Sequence, residues 1–176
     1  WAMELNRTKI ITALGSIKGT TDTAIKAYAS ATETDKDEWL TANSDRVLFG
    51  AAVGNMVAGD HSASLLNVDA TNDTLTKDVV SLMKRVAKRA NPIIRPVRVK
   101  DDEEWYVMFA DSLAFRDLKA SLDSVHQNAR ERGKDNPLFT DGDLVYDGVI
   151  IREVPEIAAL GAVGASSATV SPVYLC

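Results

Sequence analysis

One cysteine, two histidines and no apolar run near the ~20 residues a bilayer span requires: each scarcity closes a class of function. Cys176 has no second thiol to pair with, so an intramolecular disulfide is excluded and a reducing compartment is the simplest reading. As a nucleophile it lacks a neighbouring base. Neither His61 nor His126 lies near another metal-type ligand in sequence. With no Cys/His cluster, a structural zinc is excluded. Both histidines read as solvent-facing side chains, His61 in a polar loop and His126 on the outer side of its helix. The glycines build no phosphate cradle, because "GAVGASS" contains no lysine. Asp141, Asp143 and Asp147 crowd together in "TDGDLVYDG". A calcium loop of the EF-hand kind needs an oxygen ligand where Val145 stands and a distant glutamate that is missing. No signal peptide opens the chain. The expectation is a protein with no catalytic residues, no metal and no cofactor.

What is present belongs to an ordinary globular protein. The chain has 176 residues, 45% hydrophobic and 26% charged. A chain of this length buries roughly 70% of the surface its unfolded form exposes, so it needs no covalent staple. A net charge of −5 argues against a surface built throughout for nucleic acid. It begins at Trp1 and stops at "VSPVYLC" within a strand-like pattern, which reads as an excerpt of something longer.

Apolar spacing suggests a helix ending near Leu14 and Gly15, and a short helix over Ala24–Ala31 started by Thr21 or Asp22. A polar loop containing "ETDKDEW" follows, and "RVLFG" (Arg46–Gly50) reads as a strand. The clearest helix carries Leu75, Val79, Leu82, Met83, Val86 and Ala90 on one stripe, capped by Asp73 or Thr74 and ended by Pro92. "IIRPVRV" is extended and belongs at a sheet edge, because proline donates no ladder hydrogen bond. Trp105–Phe109 reads as a strand buried on both faces. A helix from Asp111 or Ser112 to Gly133 turns Phe115, Leu118, Leu122, Val125 and Ala129 inward. "LVYDGVIIREV" and "ATVSPVYL" read as two further strands. Helices and strands interleave without regular crossover units, so the fold class is α+β.

Charge carries more information than chemistry. Lys84, Arg85, Lys88, Arg89, Arg95, Arg98 and Lys100 follow one another with no carboxylate among them. Such a strip faces phosphate, or it is a solvated face whose Lys88 and Arg89 complement the negative end of their helix. No aromatic interleaves it, so bases have nothing to stack on. Asp101, Asp102, Glu103 and Glu104 come immediately afterwards. Separated patches of opposite sign suit pairing between copies of one chain, with Arg95, Arg98, Lys100 and Asp101–Glu104 as the inter-subunit contact.

Five ordered blocks resemble a known family. They are "NSDRVLFG" (43–50), "DTLTKDVVSLMKRVAKRANPIIRPVRV" (73–99), "EWYVMFADSLAFRDL" (104–118), "NARERGKDNPLFTDGDLVYDGVIIREVPEI" (128–157) and "PVYLC" (172–176). Together they resemble the major capsid, or coat, proteins of tailed bacteriophages. The chain departs from that pattern at Ala110-Asp111, where a His-Pro pair is common, and at Asp102-Glu103, where a glycine is common. The resemblance implies the tailed-phage major capsid fold (Hong Kong 97-like). Residues 1–15 would end the spine helix of the peripheral domain. Residues 16–176 would be mostly axial domain, with peripheral elements around 75–110. The N-terminal arm, the extended loop and the C-terminal end would lie outside this stretch. It further implies a homo-oligomer of hexameric and pentameric capsomers in an icosahedral shell. Scaffolding, portal and decoration proteins and non-specifically packaged DNA would be its partners, with no membrane. Its place would be the virion, after assembly in the host cytoplasm.

Two other readings stand beside it. One is a nucleic-acid-binding accessory domain using Lys84–Lys100. The other is a small hydrolase built on Asp141, Asp143 and His126.

Overall fold

The computed structural model describes residues 9–19, 24–98, 104–130, 139–140, 143–157 and 159–176, with backbone alone at 123–130, 139–140 and 143. The chain runs through helix α1 (residues 9–14) and strands β1 (Ser16–Ile17) and β2 (Lys26–Ala27). Helices α2 (Glu33–Asn43), α3 (His61–Leu66) and α4 (Lys77–Arg89) follow, then strands β3 (Val97–Arg98) and β4 (Glu104–Ala110). Helix α5 (Ser112–Arg130) leads to β5 (Phe139–Thr140), β6 (Asp143–Tyr146) and β7 (Val149–Glu153). Strands β8 (Gly161–Ala162), β9 (Thr169–Val170) and β10 (Val173–Leu175) complete it. The class is α+β, as the interleaved pattern predicts. Among the described residues no helix is long and apolar enough to cross a membrane.

The main sheet has the order β10-β4-β7-β6-β5. Strands β4 and β7 run parallel; β10 and β3 both pair antiparallel with the other edge of β4, β3 at its start and β10 at its end. Register aligns side chains into rows across the strands. Met108 lies opposite Ile151, and Ile151 opposite Leu144; Tyr106, Val149 and Tyr146 form the next row. Met108, Ile151, Leu144 and Val149 have no exposed surface, and Tyr106 has 2%. Over this face close Val79, Val80 and Ala87 of α4 and Phe115, Leu118 and Leu122 of α5. Each such side chain removed from water contributes ~1.5–3 kcal/mol before entropy is subtracted.

Trp105–Phe109 is therefore not buried on both faces, contrary to the reading of its apolar run. Burial alternates: Tyr106, Met108 and Ala110 are enclosed, while Trp105, Val107 and Phe109 are only partly buried. Helices α4 and α5 pack on the side that carries Tyr106 and Met108.

Local chemistry explains the joints. Asp111 caps α5, its Oδ1 accepting from Ala114 N–H at 2.8 Å and its Oδ2 from Ser171 Oγ at 2.8 Å. The cap of α4 is Thr76, two or three residues later than expected, with its hydroxyl near Val79 N–H. Asp73 instead gathers a loop. Its carboxylate accepts from Ala51 N–H (2.7 Å), Asn55 Nδ2 (2.9 Å) and Asp69 N–H (2.9 Å). It lies so close to Gly50 (φ +60°) that a side chain there would overlap it.

Other expectations are corrected. Residues 24–31 form β2 and a single tight turn rather than a helix, because Lys26 and Ala27 pair with Ile17 and Ser16. The helix is α2, made from "ETDKDEW" itself. Thr32 and Asp35 make reciprocal side-chain-to-backbone bonds at its start, a capping box read as loop polarity. "RVLFG" forms no strand: Arg46 and Gly50 lie in turns, and Leu48 and Phe49 between them serve different cores. "LVYDGVIIREV" is two strands joined by a turn at Asp147-Gly148, whose φ values of 48° and 71° suit a two-residue hairpin. "ATVSPVYL" divides at Ser171-Pro172 between β9 and β10, which belong to different sheets. The proposed end of α5 at Gly133 lies outside the described residues. A smaller cluster, Leu40, Phe49, Leu65 and Val68, joins α2 and α3 to Leu160, Val163 and Val170.

One-sided burial orders two substitutions in denaturant unfolding. Met108→Ala should cost about 2–5 kcal/mol as an enclosed truncation, and Trp105→Ala less than the ~3–5 kcal/mol of a fully buried aromatic. A full aromatic loss at Trp105 with little effect at Met108 would place the buried face on the wrong side.

Candidate functional site

The segment after α4 is shaped by two backbone anchors. Ile94 N–H donates to Ala87 O at 3.1 Å, folding the chain back onto the last turn of the helix. Ile94 O accepts from the Tyr106 hydroxyl at 3.2 Å, tying the same residue to β4. Ile94 packs inward on the main core. Alternation then points Ile93, Arg95 and Val97 outward, with Ile93 59% and Val97 53% exposed. Strand β3 pairs with β4 on one side, and no described strand pairs with its outer edge. This is a mixed apolar and cationic edge.

Of the seven residues expected at an inter-subunit contact, Arg95 and Arg98 sit on this edge and Glu104 opens the adjoining strand. Lys100, Asp101, Asp102 and Glu103 lie outside the described residues. Register sets Arg98 directly opposite Glu104, and their charged groups approach to 3.5 Å with side chains 71% and 50% exposed. So the strip's last described cation and the acidic run's described residue meet within one chain. An ion pair this wet is worth ~0–1 kcal/mol.

The structure also divides the basic strip. Lys84 turns to the β6–β7 turn, 3.0 Å from Asp147 Oδ1 and bonded to Asp147 O. Ser81 Oγ donates to the same carboxylate at 3.2 Å. Asp147 is thereby engaged; Asp141 and the Asp143 side chain lie outside the described residues. Among the described residues no group of three His, Cys, Asp or Glu could hold a metal. Arg85, Lys88 and Arg89 are exposed on α4, and Lys88 and Arg89 occupy its last turn. Burial raises the Cys176 thiol above its ordinary pKa, the wrong direction for a nucleophile.

His61 is a correction. It is the first residue of α3, not an exposed loop residue, and only 2% exposed. Nδ1 lies 3.2 Å from Glu33 Oε1, Nε2 contacts the Tyr28 hydroxyl, and its backbone N–H donates to Asp37 Oδ1 at 2.8 Å. Tyr28 and Phe49 meet the ring edge-on at 5.4 and 5.9 Å. Beside it Lys26 bonds Asp35 at 2.7 Å. These contacts fasten residues 26–30 to α2 and α3. No signal near His61 in sequence announces them, since Glu33 and Tyr28 are 28 and 33 residues away. The His126 side chain lies outside the described residues.

Residues 4–172 match the phage capsid protein family. The major capsid protein of Pseudomonas phage KPP25 is 35% identical over 89 residues, covering 48% of this chain and 24% of that protein. A chain of the cyanophage Pam1 capsid asymmetric unit superposes with a TM-score of 0.83 at 42% identity, over 98% of this chain and 49% of that one. The capsid of Ralstonia phage GP4 gives a TM-score of 0.61 at 19% identity, over 98% and 47%, a likeness of fold. The chain spans about a quarter of the curated relative and about half of each solved one.

The buried histidine has a pH signature. Burial chiefly, and Lys36 in part, lowers its pKa from 6.5, against the opposing pull of Glu33 and Asp37. A depressed histidine contributes stability that is complete above the unfolded pKa of about 6.5 and lost as pH falls through the folded value. Asp35 titrates lower. Lys26 and then Thr32 hold its carboxyl well below the usual 3.8, so its contribution persists until more acid conditions. Unfolding followed from pH 8 to pH 4 should show a decline below about 6.5 that His61→Gln flattens. An identical slope in the variant would assign the decline to other groups.

Proposed function

This chain belongs to the phage capsid protein family, and we propose that it serves as a tailed-phage major capsid protein, self-assembling into the icosahedral head shell around genomic DNA. The carrying observation is its superposition, over nearly its whole length, on the cyanophage capsid chain. We assign it the Hong Kong 97-like arrangement. Residues 1–15 end the spine helix, residues 16–176 are mostly axial domain, and peripheral elements lie around 75–110. Capsomers of six and five copies, contacts with scaffolding, portal and decoration proteins, and assembly in the host cytoplasm before incorporation into the virion belong to the same proposal.

The edge after α4 supports a role in self-docking. A closed shell needs heterologous contacts, in which one patch meets a different patch on the next copy. Ile93 and Val97 offer apolar area, and Arg95 a planar charged group, around an edge with which no described strand pairs. Interfaces enrich such a mixture. The Arg98–Glu104 pair is weak enough to exchange for pairs with a neighbour at little cost. With Lys100 and Asp101–Glu103 it fixes register and orientation more than it adds affinity. No step of this role requires a reacting group, and the family is a structural one.

Electron microscopy of the full-length protein tests the assignment, with closed shells expected. Ile93→Asp combined with Val97→Asp should abolish shells while leaving the unassembled subunit's melting temperature nearly unchanged, as substitutions on open surface do. Shells of normal yield from that variant would remove this edge from the contact.

A further inference from the structure

We propose that the outer face of the last two turns of α4, Arg85, Lys88 and Arg89, docks the phosphate backbone of DNA. The inference rests on the container reading, because it names what that face meets inside a shell. Spacings of three and four residues put the three cations on one side of the helix, within about 6 Å along its axis. All three are exposed, and none makes an ion pair with a carboxylate among the described residues. The nearest acid on the same stripe, Asp78, sits seven residues back, about 10 Å along the axis. Asp45, beside the end of α4, is engaged by Arg46 and by Asn91 N–H. Lys84 is engaged by Asp147.

The helix end accounts for two of the three cations. Lys88 and Arg89 stand in the last turn, where the carbonyl ends are partly negative. Arg85 stands a turn earlier and has no such reason. Like charges at these spacings repel, so the face is improved by a polyanion.

The kind of polyanion follows from what surrounds the charges. Large exposed apolar side chains flank Arg95 on the neighbouring edge, but α4 presents none around Arg85, Lys88 and Arg89. Residues 84–100 contain no aromatic for stacking. A face of cations without apolar area suits phosphates, and it reads no sequence. Three contacts on a chain of net charge −5 make a weak site. Repeated over a closed lattice, weak sites hold one long polymer strongly.

The test uses full-length, unassembled protein and a mixed-sequence 40-base-pair duplex, with affinity measured from 50 to 200 mM salt. Each neutralised phosphate contributes about −0.9 to the logarithmic salt slope. R85Q/K88Q/R89Q should reduce that slope by about 3, R85Q alone by about 1, and R85K/R89K hardly at all. Circular dichroism verifies that each variant is folded, and electron microscopy scores shells separately. Wild-type protein that does not bind the duplex, or variants with an unchanged slope, would overturn the proposal. Loss of shells with unchanged DNA binding would assign the face to a second copy and overturn it equally. Wild-type protein that binds DNA yet never forms shells would defeat the container reading and leave this face standing.

Discussion

The parallel pairing of β4 with β7 is the constraint from which the other placements follow. Its register makes continuous rows of Met108, Ile151 and Leu144 and of Tyr106, Val149 and Tyr146. A slip of one residue would turn every one of those side chains to the opposite face. Parallel neighbours require a long crossover, and α5 supplies it. Asp111 holds the corner between β4 and that helix. With α4 and α5 spent on one face of the sheet, the charged side of α4 is directed away from the core. The same sheet leaves β3 at a border, where Ile93, Arg95 and Val97 face outward.

A second level of organisation holds the chain before α4. Leu40, Phe49, Leu65 and Val68 make a small core whose apolar area alone is modest. Specific polar contacts reinforce it: the Thr32–Asp35 capping box, the Lys26–Asp35 pair and the Tyr28–His61–Glu33 chain. Buried polar groups are tolerated when every donor and acceptor is satisfied, and they then specify one arrangement over others. Asp73 performs the same office for the loop at residues 50–55 with three accepted hydrogen bonds.

Regions governed by local periodicity were legible in the sequence. The inner face of α5 through Leu122, the cap at Asp111, the edge position of the Ile-Arg-Pro segment and the presence of α4 follow from residue order. The buried side of α4 is turned from the expected stripe: Val79 and Met83 face the core with Val80 and Ala87, while Leu82 and Val86 are only partly buried. Features set by distant partners were not. His61 is enclosed by residues 28 and 33 positions away, and Asp73 leaves helix capping to Thr76 because a remote loop claims it. Helix α2 was obscured by its polarity: only Asp35 and Leu40 are buried along it. The separation of charge from Arg95 to Glu104 was evident, but the Arg98–Glu104 contact depends on strand register, which no local pattern reveals.

Geometry, on this account, does the work that reactive groups do in an enzyme. The described sheet buries its core face against α4 and α5 of the same chain, and in the proposed shell a neighbour covers the border at residues 93–98. Amide hydrogen exchange of the full-length protein, compared between free subunits and assembled particles, tests that division most directly. The account predicts slow exchange along β4 and β7 in both states, and new protection at residues 93–98 only in particles. Fast exchange along β4 and β7 in folded subunits, or no change at residues 93–98 on assembly, would contradict it.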